Sequence, residues 1–267
     1  IGTAKPTQKE LIKTPHHLID IRSPIESYSV GDFKKDVDLI ITNSLDAEKI
    51  PFLYGGTMMY FNSLENHLDD LPVSTLDTKK KVNDELNKFG IEFLFKKLEE
   101  VDPVSAKKIN SNDSQRIQRA LEVYYISGKS LSSFYVNKKI IETPYKILKL
   151  ALLPNNREHL HLLIQERVDY MLERGLVEEV EEILRSYPSL DSSYPSFRSV
   201  GYRQTFHYLK NQISKSELKN KIIFATRQLA KRQMTWMRKM ENLEIFDPFS
   251  DDLNLKVTRR IRSFLKN

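Results

Sequence analysis

Ile50-Pro51-Phe52-Leu53-Tyr54-Gly55-Gly56-Thr57-Met58-Met59-Tyr60-Phe61 reads as a short apolar strand, a glycine turn and the opening of a helix. That order is the grammar of an α/β sheet whose ligand sits beyond the carboxyl end of a strand. Gly55 and Gly56 permit close backbone approach and Thr57 adds a hydroxyl, although an ordinary turn would use the same residues. Upstream, Pro15 to Asp20 reads as a short strand or extended loop, and Ser29 is placed to cap a helix running to Asn43 or Ser44.

Downstream the pattern changes. From Ser74 to Ile141 it is almost purely helical, with Leu76 to Gly90, Ile91 to Glu100, Pro103 to Lys108 and Asp113 to Ser127 as the pieces. Tyr145-Lys146-Ile147-Leu148-Lys149-Leu150-Ala151-Leu152-Leu153-Pro154 then alternates and turns apolar, which marks a return to the sheet. The expected organisation is an α/β core built from residues 1–73 and 142–267 around a helical insertion at 74–141. Within the second part of the core, helices are expected at Arg157 to Glu173, Leu176 to Ser186 and Lys215 to Met240, with Gly175 separating the first two. A short basic amphipathic helix at Val257 to Leu265 closes the chain.

The 267 residues carry 42 Lys+Arg against 36 Asp+Glu, a net charge of +6, which favours a polyanionic or phosphorylated partner. With 40% hydrophobic residues the chain has enough apolar material for a core. The absence of cysteine excludes disulfides, thiolate zinc sites and cysteine nucleophiles within these residues. No run approaches the ~20 apolar residues of a membrane span, so a cytoplasmic address is the default expectation, and a monomer the default state. Ile1 in place of an initiating Met leads us to expect a segment upstream.

Three basic segments draw the eye. Gln115-Arg116-Ile117-Gln118-Arg119-Ala120-Leu121-Glu122-Val123 opens a helix with Arg116 and Arg119 at the rim of its apolar stripe. Lys219, Lys221, Arg227, Lys231, Arg232, Arg238 and Lys239 lie on one helix with no acid between Leu218 and Met240. An ordinary surface helix interleaves Glu with Lys, so this one suits a row of phosphates. Trp236 falls on the apolar face of that helix, where core packing is expected over base stacking. Arg198, Tyr202 and Arg203 surround Gly201 in an expected loop, open to RNA contact or to a plain structural role.

Other residues argue against chemistry. Arg167 on its own reads as a surface charge balanced by Glu166 or Asp169. Gly128-Lys129-Ser130 imitates the end of a phosphate-binding loop, but Val123 stands where the first glycine belongs, so it is read as a helix end. His16 and His17 are adjacent, and His159 and His161 are two apart on a helix, spacings that do not make a zinc site.

Taken together, Ile1-Gly2-Thr3-Ala4-Lys5-Pro6, Pro15-His16-His17-Leu18-Ile19-Asp20, Gly55 to Phe61, Val101-Asp102-Pro103, Asn112 to Arg116, Ser127-Gly128-Lys129, Gly201-Tyr202-Arg203-Gln204 and the Arg227-to-Arg238 block resemble the tRNA dimethylallyltransferases in order and spacing. The resemblance implies a P-loop, kinase-like parallel-sheet core with an inserted helical tRNA-binding domain. It implies a channel where dimethylallyl diphosphate meets an adenine flipped from the anticodon stem-loop. Attack of the exocyclic amine on the allylic carbon, with Mg²⁺ assisting the leaving diphosphate, would give N6-dimethylallyladenosine at position 37.

By that resemblance Gly55, Gly56 and Thr57 line the channel, with Thr57 and Arg167 catalytic and Arg167 on the diphosphate. Gln115, Arg116, Arg119, Arg198, Gly201, Tyr202, Arg203, Lys231, Arg232, Gln233 and Arg238 correspond to tRNA-contacting segments. No residue here is assigned as a metal ligand. The catalytic aspartate and the G-K-[ST] loop of the family fall ahead of Ile1, and Asp113-Ser114 and Asp191-Ser192 are in the wrong contexts to replace that aspartate. Two other readings remain, a catalytically incomplete tRNA-binding fragment and a nucleotide-kinase-like enzyme on a related core.

Overall fold

The computed structural model describes residues 1–65, 71–136 and 145–266. Backbone contacts divide the chain into a unit of Ile1–Asn62 with Tyr145–Asn267 and a unit of Ser63–Pro144. Three helices come first: α1 (Gln8–Lys13), α2 (Val30–Asp46) and α3 (Met58–Glu65). Ser29 caps α2 as expected, its hydroxyl accepting from the Asp32 amide at 3.1 Å while the Asp32 carboxylate accepts from the Ser29 amide at 2.8 Å. Phe33, Val37 and Ile41, spaced by four, are the buried stripe of α2.

The unit of Ser63–Pro144 holds α4 (Leu76–Val101), α5 (Pro103–Ala106), α6 (Ser114–Ser127) and α7 (Leu131–Val136). Within α4, Gly90 takes φ 81° and ψ 174°, a conformation reserved for glycine, so two helical runs meet where the sequence pattern breaks. Its core gathers Val82, Leu94, Leu98, Ile117, Ala120, Leu121, Val123 and Leu131. Gly128, with φ 68°, ends α6, which makes Gly128-Lys129-Ser130 a helix terminus and not a phosphate loop. The last residues of the expected helical block, up to Ile141, lie outside the described residues.

The chain then forms β1 (Lys149–Leu152), α8 (Arg157–Glu173), α9 (Leu176–Ser186), a 3₁₀ turn (Pro195–Arg198), α10 (Tyr202–Leu209), α11 (Lys215–Met237), β2 (Leu243–Phe246) and α12 (Leu253–Lys266). Strand β2 pairs parallel with β1, Lys149 opposite Leu243 and Leu152 opposite Phe246. Helices α8 to α11 lie in the crossover between them and pack around Ile164, Val168, Leu176, Val180, Phe197, Leu218 and Ile222. Phe197 is fully buried.

Several expectations are corrected. Among the described residues the sheet has two strands, so the molecule is mostly helical with a small parallel sheet. Of the short strand and the loop left open for residues 15–20, the chain forms a loop, because Leu18 (φ 62°) and Asp20 (φ 56°) sit in the left-handed region and break the extended run. Residues 50–54 alternate in exposure as a strand would, with Ile50, Phe52 and Tyr54 outward, but pair with no described strand. The loop expected around Gly201 ends at that glycine, since Tyr202 and Arg203 open α10, whose buried Tyr202, Thr205 and Phe206 fall at helical spacing. Trp236 is 37% exposed and not in the core, and the last residue of α11 packed against the core cluster is Ala230. Among the described residues no helix is long and apolar enough to cross a membrane.

Asp102 is a buried polar anchor of the helical unit. Its carboxylate accepts from the Ser105 amide at 3.0 Å, capping α5, and from the Ser132 amide at 2.9 Å, tying in α7. Burial alone would raise its pKa, yet the hydrogen bonds from Ser105 and Ser132 outweigh burial and hold it below the ordinary aspartate value. A depressed folded pKa means that its stabilisation is complete above the unfolded value of about 4 and disappears as pH falls through the folded value. Asp102→Ala should cost about 2–4 kcal/mol at pH 7 in chemical denaturation, because one buried and one partly buried amide lose their acceptor. The gap between wild type and variant should narrow in the same titration at acid pH.

Candidate functional site

The Gly55-Gly56-Thr57 turn leads from an extended segment into α3, and all three residues are exposed. The Thr57 carbonyl accepts from the Tyr60 amide at 2.9 Å, which starts the helix. Tyr60 stacks on Phe33 of α2 with ring centroids 4.2 Å apart and planes within 6°, and meets Tyr28 edge-on at 6.2 Å. The Tyr28 hydroxyl donates to Asp36 at 2.9 Å, so burial, and then that carboxylate, push its pKa well above the ordinary phenol value. From the other side, the Gln233 side-chain amide on α11 donates to the Gly56 carbonyl at 2.9 Å.

Arg167 is exposed midway along α8. Of the two acids expected to balance it, Glu166 and Asp169, the latter pairs with Lys219 of α11. Among the described residues Arg167 has no ion-pair partner, and the same holds for Arg198, Arg203, Lys231, Arg232 and Arg238. Helix α11 therefore has two halves. Leu218, Ile222 and Ile223 are buried in the first, while the second presents Lys231, Arg232 and Arg238 to solvent. Between them the Arg227 Nε is buried without a hydrogen-bond partner among the described residues. Partial burial, followed by the positive fields of Arg227 and Arg157, lowers the pKa of His161.

Around Gly201 the backbone takes φ 95° and ψ −64°, and its amide donates to Gln204 at 2.9 Å. Arg198 and Arg203 flank this turn and face solvent. Tyr202 does not: its ring is buried and its hydroxyl donates to Glu179. Gly2 lies so close that a Cβ there would sit 2.4 Å from the Tyr202 ring, and the Gly2 amide donates to Glu179 at 3.2 Å. Tyr202 therefore holds the Gly201 turn in place, and the arginines beside it are the outward groups.

In the helical unit, Gln115 and Arg116 are exposed at the start of α6, with Arg116 paired loosely to Asp113 at 3.4 Å. Arg119 is turned inward. It donates to Ser74 and to the Pro72 carbonyl, the latter at 2.8 Å, and stands 3.7 Å from the buried Glu122 carboxylate, which also accepts from Ser74. It straps residues 72–74 to α6. The sequence pattern placed Arg116 and Arg119 together at the rim of a stripe and gave no sign of this difference. Among the described residues no group of three His, Cys, Asp or Glu could hold a metal ion.

A family model described as IPP transferase matches residues 1–240. The chain is 42% identical over 267 residues to a tRNA dimethylallyltransferase of Legionella pneumophila (strain Paris), covering all of this chain and 85% of that one. Its fold is similar to the crystal structure of the full-length tRNA isopentenylpyrophosphate transferase from Bacillus halodurans, with a TM-score of 0.67, 31% identity, and 99% of this chain and 83% of that chain covered. A eukaryotic dimethylallyltransferase solved acting on tRNA matches with a TM-score of 0.82 at 27% identity, over 100% of this chain and 69% of that one.

The two α6 arginines should behave differently on substitution. Arg119→Ala leaves a buried carboxylate without its counter-charge and should lower stability in urea by about 2–4 kcal/mol. Arg116→Ala removes an exposed pair worth about 0–1 kcal/mol and should leave the urea midpoint nearly unchanged while weakening RNA binding in a filter or anisotropy assay.

Proposed function

The chain belongs to the IPP transferase family, the tRNA dimethylallyltransferases, and from that premise we propose that it transfers a dimethylallyl group from dimethylallyl diphosphate to N6 of adenine 37 in the tRNA anticodon loop. In this step the N6 lone pair forms a bond to the allylic carbon, the carbon–oxygen bond to diphosphate breaks, diphosphate departs with the electron pair, and N6 gives up a proton. The protein's work is to place the amine against the carbon and to neutralise the leaving group.

Arg167 is assigned to the diphosphate. A planar guanidinium binds two oxygens at once, and a guanidinium with no carboxylate partner among the described residues is available to do so. Thr57 is assigned to the channel wall with Gly55 and Gly56. Gln115, Arg116, Arg198, Arg203, Lys231, Arg232 and Arg238 are assigned to the RNA backbone, with Gly201 and the buried Tyr202 shaping the turn that carries two of them. Arg119 is assigned a supporting role within the helical unit, fixing the segment before α4 against the helix that carries Gln115 and Arg116. The proton acceptor and the main diphosphate cradle are assigned to no residue among these 267.

The single observation that carries the reading is the 42% identity over the whole of this chain to a tRNA dimethylallyltransferase. Support from the geometry comes from α11, a helix that packs with one half and holds unpaired cations on the other. A small-substrate kinase has no use for such a helix.

The test is incorporation of labelled dimethylallyl diphosphate into an anticodon stem-loop with adjacent adenines, using the full protein and Mg²⁺. Transfer is expected, and none under these conditions removes the proposal. Arg167→Ala should raise KM for dimethylallyl diphosphate by about tenfold or more with little change in stem-loop affinity. Lys231→Ala should weaken binding of any stem-loop and reduce the slope of log K against log salt by about 0.7–0.9, the share of one phosphate contact.

A further inference from the structure

We propose that Gln233 is a positioning residue for the transfer reaction: its side-chain amide holds the Gly56 carbonyl and thereby links the cation-bearing half of α11 to the turn that presents Thr57. This rests on the reading above, in which Thr57 lines the channel and α11 meets tRNA. It moves Gln233 from the RNA-contacting set, where the family resemblance put it, to a role inside the protein.

The geometry supports this role at three points. First, the hydrogen bond from Gln233 Nε2 to the Gly56 oxygen is 2.9 Å long and joins residues 177 apart in sequence. Second, the glutamine approaches the turn closely at that position, so that a side chain there would displace it. A Cβ on Gly56 would sit 2.3 Å from the Gln233 amide nitrogen, whereas a Cβ on Gly55 would meet nothing within 4 Å. The pair is thus matched to one residue of the turn and not to glycine-rich backbone in general.

Third, the bond reaches Thr57 through one rigid unit. The peptide between Gly56 and Thr57 is planar, so fixing the Gly56 carbonyl also fixes the Thr57 nitrogen and leaves only the Thr57 dihedrals free. The far side of Thr57 is held as well, because its carbonyl accepts from the Tyr60 amide at 2.9 Å and the Tyr60 ring is stacked on Phe33. Thr57 is therefore clamped between an aromatic stack on one side and α11 on the other. Next to Gln233 on α11 stand Lys231 and Arg232, exposed and without carboxylate partners among the described residues. Phosphates bound there act on the same helical turn that grips Gly56.

The test uses the full protein with dimethylallyl diphosphate, Mg²⁺ and the anticodon stem-loop, and separates kcat from stem-loop affinity. Gln233→Met keeps the length and uncharged character of the side chain and removes the donor. We expect kcat to fall by about tenfold, the stem-loop Kd to stay within about twofold and the melting temperature to hold, because a displaced turn harms chemistry and not docking. Gly56→Ala should give a similar loss, and the double variant should be little worse than the poorer single one, since both break one contact.

A rise in Kd with kcat unchanged would make Gln233 an RNA contact and overturn the proposal, as would additive losses in the double variant. Thr57→Val distinguishes this from the parent reading. If it retains full kcat while Gln233→Met loses it, Thr57 is not the group that the turn presents, and the link between α11 and the turn stands.

Discussion

Parallel pairing of β1 with β2 is the constraint from which the larger unit follows. Antiparallel neighbours can be joined by a tight turn, but parallel ones need a crossover that carries the chain back to the starting edge. Here everything between Leu153 and Asn242 is that crossover, and it contains α8, α9, α10 and α11. The ladder extends one bond past the strands, from the Leu153 amide to the Phe246 carbonyl at 2.9 Å. Arg167, the Gly201 turn and the basic helix are all borne on this one excursion, which packs on itself around Phe197. Their mutual placement is set by that helical core and not by the loops between helices.

The positive character of the unit depends as much on where its acids are as on how many cations it has. A net charge of +6 is modest for this length. Asp32, Glu10 and Glu217 are occupied as reciprocal caps at helix starts, each accepting from a Ser or Thr three residues earlier. The capping hydrogen bonds hold the pKa values of all three below the ordinary carboxylate range. Asp169 is taken by Lys219. With these acids engaged at helix starts and with Lys219, and others paired as Asp38 with Lys34 and Glu244 with Arg260, Arg167 and the far half of α11 have no carboxylate partner among the described residues, which is how a chain of moderate charge presents a strongly cationic helix.

Much of this was legible in the sequence, and the failures share a physical cause. Helices α2, α8 and α9 were read almost to the residue, because a capping serine, Gly175 and a regular apolar stripe act within a few residues of one another. The return to the sheet expected within Tyr145 to Pro154 is β1, but the other strands escaped because pairing is non-local: residues 50–54 have the alternation of a strand and no described partner, whereas Leu243 to Phe246 became one by meeting Lys149 to Leu152. At the site, sequence marked Arg116 and Arg119 as equivalents, yet only contact with Ser74 and Pro72, over forty residues away, turns Arg119 inward. Tyr202 was left open between RNA contact and a structural role for the same reason, since Glu179 and Gly2 cannot be seen from its neighbours.

Trp236 shows how a correct periodicity can still mislead. It does fall on the stripe that begins with Ile222, but a stripe is buried only where something lies against it, and the core partners of α11 end at Ala230. A helix of 23 residues is about 34 Å long at 1.5 Å per residue, and its fully buried positions, Leu218, Ile222 and Ile223, all lie in the first half. The second half is continuous with that anchored half and buries Met234 and Met237 only in part, so its helical geometry does not depend on full burial of its own side chains. The helix keeps Lys231, Arg232 and, at its C-terminal cap, Arg238 at fixed spacing, which a loop of the same composition would not. It also explains why the contact of Gln233 with Gly56 matters: beyond the core, it is a named polar bond that ties the free half of the helix back to the rest of the unit.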